Sequence, residues 1–472
     1  MRASGQRRIG PAFATLALFT LAGAPKACAQ AHHPHEAPPA DTTMAPMPGM
    51  QGMPGMPEKA PAPVHHAHGA AHGSMSMPMA GDHATHGGHA MPMPGLYGDY
   101  AMAREASGTS WQPEASGHDG LHAMRGPWTL MAHGWADAVV GGTGGPRGDA
   151  RPFADDMAML VARRAAGAAA LGLRAMLSLE PATIGRSGYP LLLQSGETAD
   201  GRTPLIDRQH PHDLFMELAV TGALARGTRS LFVYAGLPGE PALGPPAFMH
   251  RASGRDDPLA PISHHWLDST HISEGVLTAG AVVDRLKLEL SAFRGREPDE
   301  HRWDLETPRL DSHAFRLSWN PDARWALQAS AGRLHSPEQL EPGVDQDRAT
   351  ASVLVHGEGW DATLGWGRDR NRPGNTLDAG LAEGALERGA SVWFARLERV
   401  EKDELVRAPD PRAGEPFAVG EATLGFRREL ANVGAAALGL GSAGSLSFTP
   451  RALRDLYGPT PVSGWVFLRA SL

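Results

Sequence analysis

The sequence predicts an all-β fold: an antiparallel transmembrane β-barrel of about 16 strands, preceded by a disordered N-terminal segment. Three observations predict it. Beyond Trp128 no run of consecutive apolar residues is long enough for a spanning helix. Short segments there alternate apolar and polar residues with period two, as strands with two unlike faces do. The links between those segments are short and long by turns, the asymmetry of an outer-membrane barrel with tight periplasmic turns and longer outer loops.

Residues 1–29 read as a signal peptide. Arg2, Arg7 and Arg8 supply the positive start, residues 12–24 the apolar run, and Ala27-Cys28-Ala29 a small-x-small cleavage site. A membrane anchor is excluded by the shortness of that run and by Pro11 and Pro25. Lipid attachment at Cys28 is disfavoured because Pro25 and Lys26 stand where small or aliphatic residues are needed. Cys28 is the one cysteine of 472 residues, so the mature chain has neither disulfides nor thiolate ligands.

Residues 30–95 are Ala, Gly, Pro, His and Met with almost no branched aliphatics, too little apolar surface to offset ordering entropy. The histidines are His32, His33, His35, His65, His66, His68, His72, His83, His86 and His89. The methionines are Met44, Met47, Met50, Met53, Met56, Met75, Met77, Met79, Met91 and Met93. Thioether sulfur is a soft donor suited to Cu(I), and imidazole takes Cu(II), zinc or nickel. Methionine elsewhere fills gaps in cores, but a segment without a core gives it nothing to fill. A copper ion, or zinc or another transition metal in its place, is therefore the expected ligand of this segment.

Residues 96–125 are expected to be a linker or a periplasmic plug, and residues 126–472 the barrel. Leu286, Leu288 and Leu290 alternate with Lys287 and Glu289; Phe315, Leu317 and Trp319 with Ala314, Arg316 and Ser318. Trp325, Leu327, Ala329 and Ala331, then Ala422, Leu424 and Phe426, repeat the pattern. Tight links are expected near Gly167, Gly227, Asp284, Pro321, Glu358, Gly389 and Ala431-Asn432. Longer ones are expected near 141–154, 181–211, 238–270, 297–309, 334–345, 369–375, 402–415 and 449–461. Trp319, Trp325 and Trp360 flank tight links, where a periplasmic aromatic girdle belongs. A soluble sandwich or propeller also alternates but mixes its loop lengths. An even strand number puts both chain ends, and the metal-rich segment, in the periplasm.

Two constellations lie inside the barrel region. By strand parity Met131, His133, Met157, Met159 and Met176 share the face opposite Leu171, Leu173 and Leu177, so they point into the lumen if those leucines meet lipid. Such a thioether ladder offers a soft cation stepping sites, or it packs against an internal plug; both follow from the same side chain. His210 and His212 sit in Asp207-Arg208-Gln209-His210-Pro211-His212-Asp213, and His264, His265 and His271 close the next long loop, with Met249-His250 upstream. These imidazoles and carboxylates suit a zinc- or copper-type site. The preferred reading is a polar network in loops folded into the lumen, with Arg208, Arg251 and Arg255 pairing to Asp256, Asp257 and Asp268.

The signal peptide, the Met-Pro-Gly-Met repeat between Met47 and Met56, and the barrel together resemble the outer-membrane copper-resistance protein B type of Gram-negative bacteria. The likeness is specific in the leader and architectural in the barrel, so no family site is carried beyond residue 95. It implies an outer-membrane barrel taking part in copper binding, transport or resistance, with its leader in the periplasm. Lipid, metal ions and periplasmic copper proteins are the expected partners. A net charge of −8 argues against nucleic acid. No phosphate loop, nucleophile elbow or zinc-protease motif is present, so no enzyme is expected. The alternatives are a general or solute-specific porin with a metal-buffering tail, and an outer-membrane hydrolase built on the loop histidines.

Overall fold

The structure, a computed structural model, describes residues 93–117 and 120–472. The signal segment and the metal-ligand residues from His32 to Met91 lie outside the described residues.

After a short strand β1 (Leu121–Arg125), the wall is built from β2 (Trp128–Gly142), β3 (Phe153–Ala166) and β4 (Ala169–Leu177). A hairpin, β5 (Tyr189–Thr198) and β6 (Pro204–Gln209), interrupts it. The wall resumes with β7 (Phe215–Arg226), β8 (Arg229–Gly239), β9 (Ser273–Val283), β10 (Leu286–Phe293), β11 (Ser312–Trp319) and β12 (Trp325–Leu334). It continues through β13 (Asp345–Gly357), β14 (Trp360–Arg372), β15 (Thr376–Arg388), β16 (Ser391–Lys402), β17 (Phe417–Val433), β18 (Ala436–Phe448) and β19 (Val462–Ser471). Each pairs antiparallel with the next, and β19 closes on β2 from Gly464↔Gly142 to Ser471↔Trp135, giving a closed barrel of 16 strands. Among the described residues, β5 and β6 pair only with each other.

The amphipathicity is inverted relative to a soluble protein. On β10, Leu286, Leu288 and Leu290 are 47%, 50% and 62% exposed, while Lys287 and Glu289 are fully buried. Leu231, Leu364, Leu397, Leu424 and Leu468 likewise face outward. Leaving such a side chain in water forgoes roughly 1.5–3 kcal/mol each, so this belt is a lipid-facing surface. Trp319, Trp325, Trp360 and Trp393 stand on it beside the tight turns, at the interfacial level where aromatic rings are favoured.

The short–long rhythm of the links holds with two corrections. The longer link expected near 369–375 is only residues 373–375, shorter than the tight-end link 320–324, because β14 runs on to Arg372 and β15 starts at Thr376. The last tight turn is Gly434-Ala435 and not Ala431-Asn432, because β17 carries a bulge between Glu429 and Ala431 that lengthens it to Val433. The extra residue breaks the alternation from which the turn was placed, and Gly434 takes the left-handed φ of +64° that the true turn needs.

Two segments fill the lumen. Residues 95–112 lie almost wholly buried inside the tight-turn end. Ser230 Oγ donates to Tyr97 O at 2.6 Å, Arg316 Nη2 to Thr109 Oγ1 at 2.8 Å, Asn320 Nδ2 to Gln112 O at 2.8 Å, and Lys287 Nζ to Thr109 O. Met93, read with the tail, packs half-buried against this core. The second segment is the loop between β8 and β9. Ala242 N donates to Ser291 Oγ and Gly244 N to Ser330 Oγ, both at 2.8 Å. Ser263 Oγ donates to Glu398 Oε1 at 2.7 Å, and Arg396 Nη1 to Leu259 O at 2.9 Å. Wall polar groups that would face water in an open pore are thus satisfied by loop backbone. Over the long-loop end, Leu192 and Leu193 of the β5–β6 hairpin pack with Leu405, Val406, Leu453 and Tyr457.

Candidate metal centre

The five inward candidates of the first wall strands do face the lumen: Met131, Met157, Met159 and Met176 are each 2% exposed, and His133 is on the same face of β2. The register adds what parity cannot. His133 is the cross-strand partner of Met159, and Met159 of Met176, so the three form one row across β2, β3 and β4. Direct neighbours on one face stand about 5 Å apart at Cβ. The inner loop supplies a fourth donor: His250 Nε2 approaches Met176 Sδ at 3.4 Å, and its ring lies edge-on to His133 with centroids 5.8 Å apart. A small interior cavity, ≈ 120 Å³, borders the row and is lined by His133, Met157, Met249 and His250 among others. Two imidazoles and two thioethers on fixed elements make a soft N2S2 donor set.

The loop histidines are brought together too. His264 and His265 sit on the one-turn helix α2 (His264–Leu267), and His271 follows it in the next turn. His210 and His212 come from the stretch between β6 and β7. Ring centroids are 5.3 Å apart for His212 and His271, 5.2 Å for His264 and His271, 5.5 Å for His264 and His265, and 5.9 Å for His210 and His265. Phe248 borders His212, His264 and His271. All five imidazoles are buried at the long-loop end.

The Nδ1 atoms of three of them are anchored. His212 Nδ1 lies 2.9 Å from Glu180 Oε1, on the helix α1 (Glu180–Thr183), His264 Nδ1 2.6 Å from Asp268 Oδ1, and His271 Nδ1 2.8 Å from Asp268 O. The Nε2 atoms of His212, His265 and His271 are buried with no hydrogen-bond partner. His212 and His271, with one nitrogen held by a carboxylate or carbonyl and the other left open, are oriented as metal ligands are. Protonation agrees. Burial, helped by the His264 and His212 charges, pushes His210 down to about 3, and burial holds His265 and His271 well below the ordinary histidine value. For His212, burial pushes down but the Glu180 carboxylate outweighs it, so its value is raised. Three of the rings are thus neutral at pH 7, the form that binds metal.

Of the expected arginine pairings, that of Arg251 holds and that of Arg208 does not. Arg251 Nη1 donates to Asp268 Oδ2 at 2.5 Å and its Nε to Glu383 Oε1 at 2.6 Å. Arg208 instead pairs with Asp149, Asp256 with Arg427 and Asp257 with Arg396. The loop is pinned to the wall as well as to itself, because strands β15, β16, β17 and β19 present partners. Sequence reasoning also missed Glu180 as the His212 anchor and His250 as part of the soft row. Spacing within a loop carries no sign of which wall strand it will meet.

No protein-family model matches the chain, and no curated protein matches it. Among solved structures, the chain is similar to OmpF of Salmonella typhi, crystallised with daunomycin, at 10% identity and a TM-score of 0.47, covering 75% of this chain and 100% of that one. OmpT, an outer membrane protein of Vibrio cholerae, matches at 8% identity and a TM-score of 0.44, covering 75% and 100%. OccAB1 of Acinetobacter baumannii matches at 8% and 0.39, covering 73% and 96%. The barrel rests on its own closed ring of strand pairs and its apolar belt, not on these likenesses.

Proposed function

We propose that this chain is an outer-membrane barrel that binds copper in a filled lumen and takes part in copper handling, without enzymatic activity of its own. The observation that carries the reading is the row His133–Met159–Met176 completed by His250, a soft donor set inside a wall whose outer face is made for lipid. Thioethers discriminate for Cu(I) over the hard cations that dominate outside a cell. Copper here is cargo. The two imidazoles and two thioethers present fit it in number and softness, and the Met- and His-rich residues before Met93 supply a second population of the same donors. The described chain begins at the tight-turn end, where Arg163 Nε donates to Gly95 O at 2.9 Å. A donor-rich segment joined there raises the local metal concentration at the inner mouth and can receive copper from periplasmic copper proteins.

The test uses Ag(I) as a redox-inert probe for the Cu(I) site. Folded mature protein, and the same protein lacking residues 30–92, are titrated with Ag(I) against a competing chelator. The shortened protein is expected to keep one tight site, and Met159→Leu/Met176→Leu to lose it. Volume-conserving Met–Leu exchanges cost under about 1.5 kcal/mol, so the fold survives the substitution. A shortened protein without a tight site, or unchanged affinity in the double variant, refutes the lumenal site.

A further inference from the structure

We propose that His265, Glu297 and Glu338 form a binding site for a divalent cation of borderline softness, of the Zn2+ class, which ties the inner loop to two outer loops. The site is separate from the thioether row and stands whether or not copper binds there. Its three residues come from three different loops: α2 in the inner loop, the β10–β11 link and the β12–β13 link. One ligand atom from each lies within 4.8 Å of the other two. His265 and Glu297 are each only 7% exposed, and Glu338 is half-buried.

Two observations point to a missing cation rather than to a packed acidic cluster. The first is unmet bonding. His265 Nε2 and both carboxylate oxygens of Glu297 are buried without a hydrogen-bond partner. His265 Nδ1 lies 3.7 Å from Glu297 Oε1, outside hydrogen-bond range. A carboxylate taken out of water and left unpaired costs several kcal/mol, so a fold keeps one where something else binds it. The Arg348 charge and the Ser269 hydroxyl act on Glu297 without taking the place of a ligated cation. Arg348 is engaged by Asp369 at 3.0 Å, Ser269 at 2.9 Å and Gln346 at 2.8 Å.

The second is preorganisation. Glu297 N donates to Pro337 O at 3.1 Å, so the backbones that carry the two glutamates are already joined. On the other side, a Cβ at Gly196 would stand 2.4 Å from His265 Cε1. Gly196 has φ +108°, and only glycine lets that backbone lie flat against the ring. One imidazole and two carboxylates leave a fourth position for water in a tetrahedral zinc geometry.

The test must be blind to the many other histidines of the chain, so it reads local order. Hydrogen exchange of the folded full-length mature protein is followed with and without Zn2+, peptide by peptide. At a Zn2+ concentration about ten times the site's dissociation constant, exchange governed by loop opening slows about tenfold. That slowing is expected together in the peptides covering α2, residues 294–311 and residues 335–344. Glu297→Gln/Glu338→Gln, which keeps shape and removes charge, is expected to abolish it while exchange in the wall strands stays unchanged. Should the double variant fail to fold, the half-buried Glu338→Gln alone serves, with at least a several-fold loss of the zinc effect. No zinc-dependent protection of these three segments, or equal protection in the variants, overturns the proposal. Ag(I) binding by the same variants is expected to be intact, which separates failure here from failure of the copper reading.

Discussion

Arg251→Met asks what holds the inner loop in the lumen. Arg251 is fully buried and bridges Asp268 of its own loop to Glu383 of wall strand β15, whose side chains are 2% and 1% exposed. Although burial works to raise Asp268, the charges of Arg251 and His264 bring it down to about 2, so it is ionised throughout the neutral range. Removing the arginine takes the shared cation from two buried carboxylates, leaving Glu383 with Arg396 at 3.4 Å and Asp268 with His264 at 2.6 Å. Breaking a buried pair by deleting one partner costs roughly 3–5 kcal/mol. The two pairs share one guanidinium, so their costs overlap rather than add. The loop can relieve most of that cost by leaving the lumen for water, so the penalty falls on the packed state alone. At about 1.4 kcal/mol per tenfold, the equilibrium between packed and displaced loop shifts by roughly two to three and a half decades. Single-channel recording in planar bilayers reads the shift directly. The unaltered protein is expected to be closed almost all the time, and Arg251→Met to open in long bursts. The triple variant Arg251→Met/Asp268→Asn/Glu383→Gln, which removes the stranded charges, is expected to close again in large part. A steady large conductance of the unaltered protein, or an Arg251→Met protein as silent and as stable as the parent, refutes the argument.

The buried histidines give a signed pH effect. His210 is depressed to about 3, so the unfolded chain binds a proton below about pH 6.5 that the folded chain refuses. Stability from this residue is complete above that value and lost as pH falls. Between pH 7 and 5 the parent should lose about 2 kcal/mol relative to His210→Gln by urea titration; parallel curves contradict the shift. On the outer face, Leu290→Lys places a charge at an outward position that is 62% exposed. It should cost roughly 2–4 kcal/mol of folding stability in bilayers if Leu290 sits near mid-membrane, and an unchanged urea midpoint in lipid vesicles would show that this face does not meet the acyl chains.

The wall was legible because lipid and lumen impose opposite demands on alternate residues. Leu286 to Leu290 on one side and Lys287 with Glu289 on the other could not be exchanged without exposing charge to hydrocarbon. The links were legible because a tight turn constrains composition. Where the constraint slackens, as at the bulge before Val433, the reading slips by a few residues. The row Met159–Met176 was within reach, since the two residues are equidistant from the turn at Gly167-Ala168. The contents of the lumen were not legible. Ser291, Ser330 and Glu398 on an inward face look the same whether they meet water or a loop, and only the folded chain decides which. The loop histidines illustrate this. Their spacing suits a polar network or a metal site equally, and the deciding feature, Nδ1 held with Nε2 left open, depends on Glu180 arriving from outside the motif and on how the chain turns at Asp268.

A lumen filled in this way couples its contents. The turn Phe248–His250 presents its first residue to His212, His264 and His271 and its last to His133 and Met176. Arg251, the anchor of the loop, follows immediately. Displacing the loop therefore withdraws His250 from the thioether row and carries α2 away from His210 and His212 in the same movement. A cation bound by His250 together with wall residues must resist that displacement, by the same free energy that displacement takes from its binding. On the proposed reading, metal occupancy and closure of the barrel are thus one equilibrium seen from two sides. The residue that sets its position is Arg251, which ligates nothing.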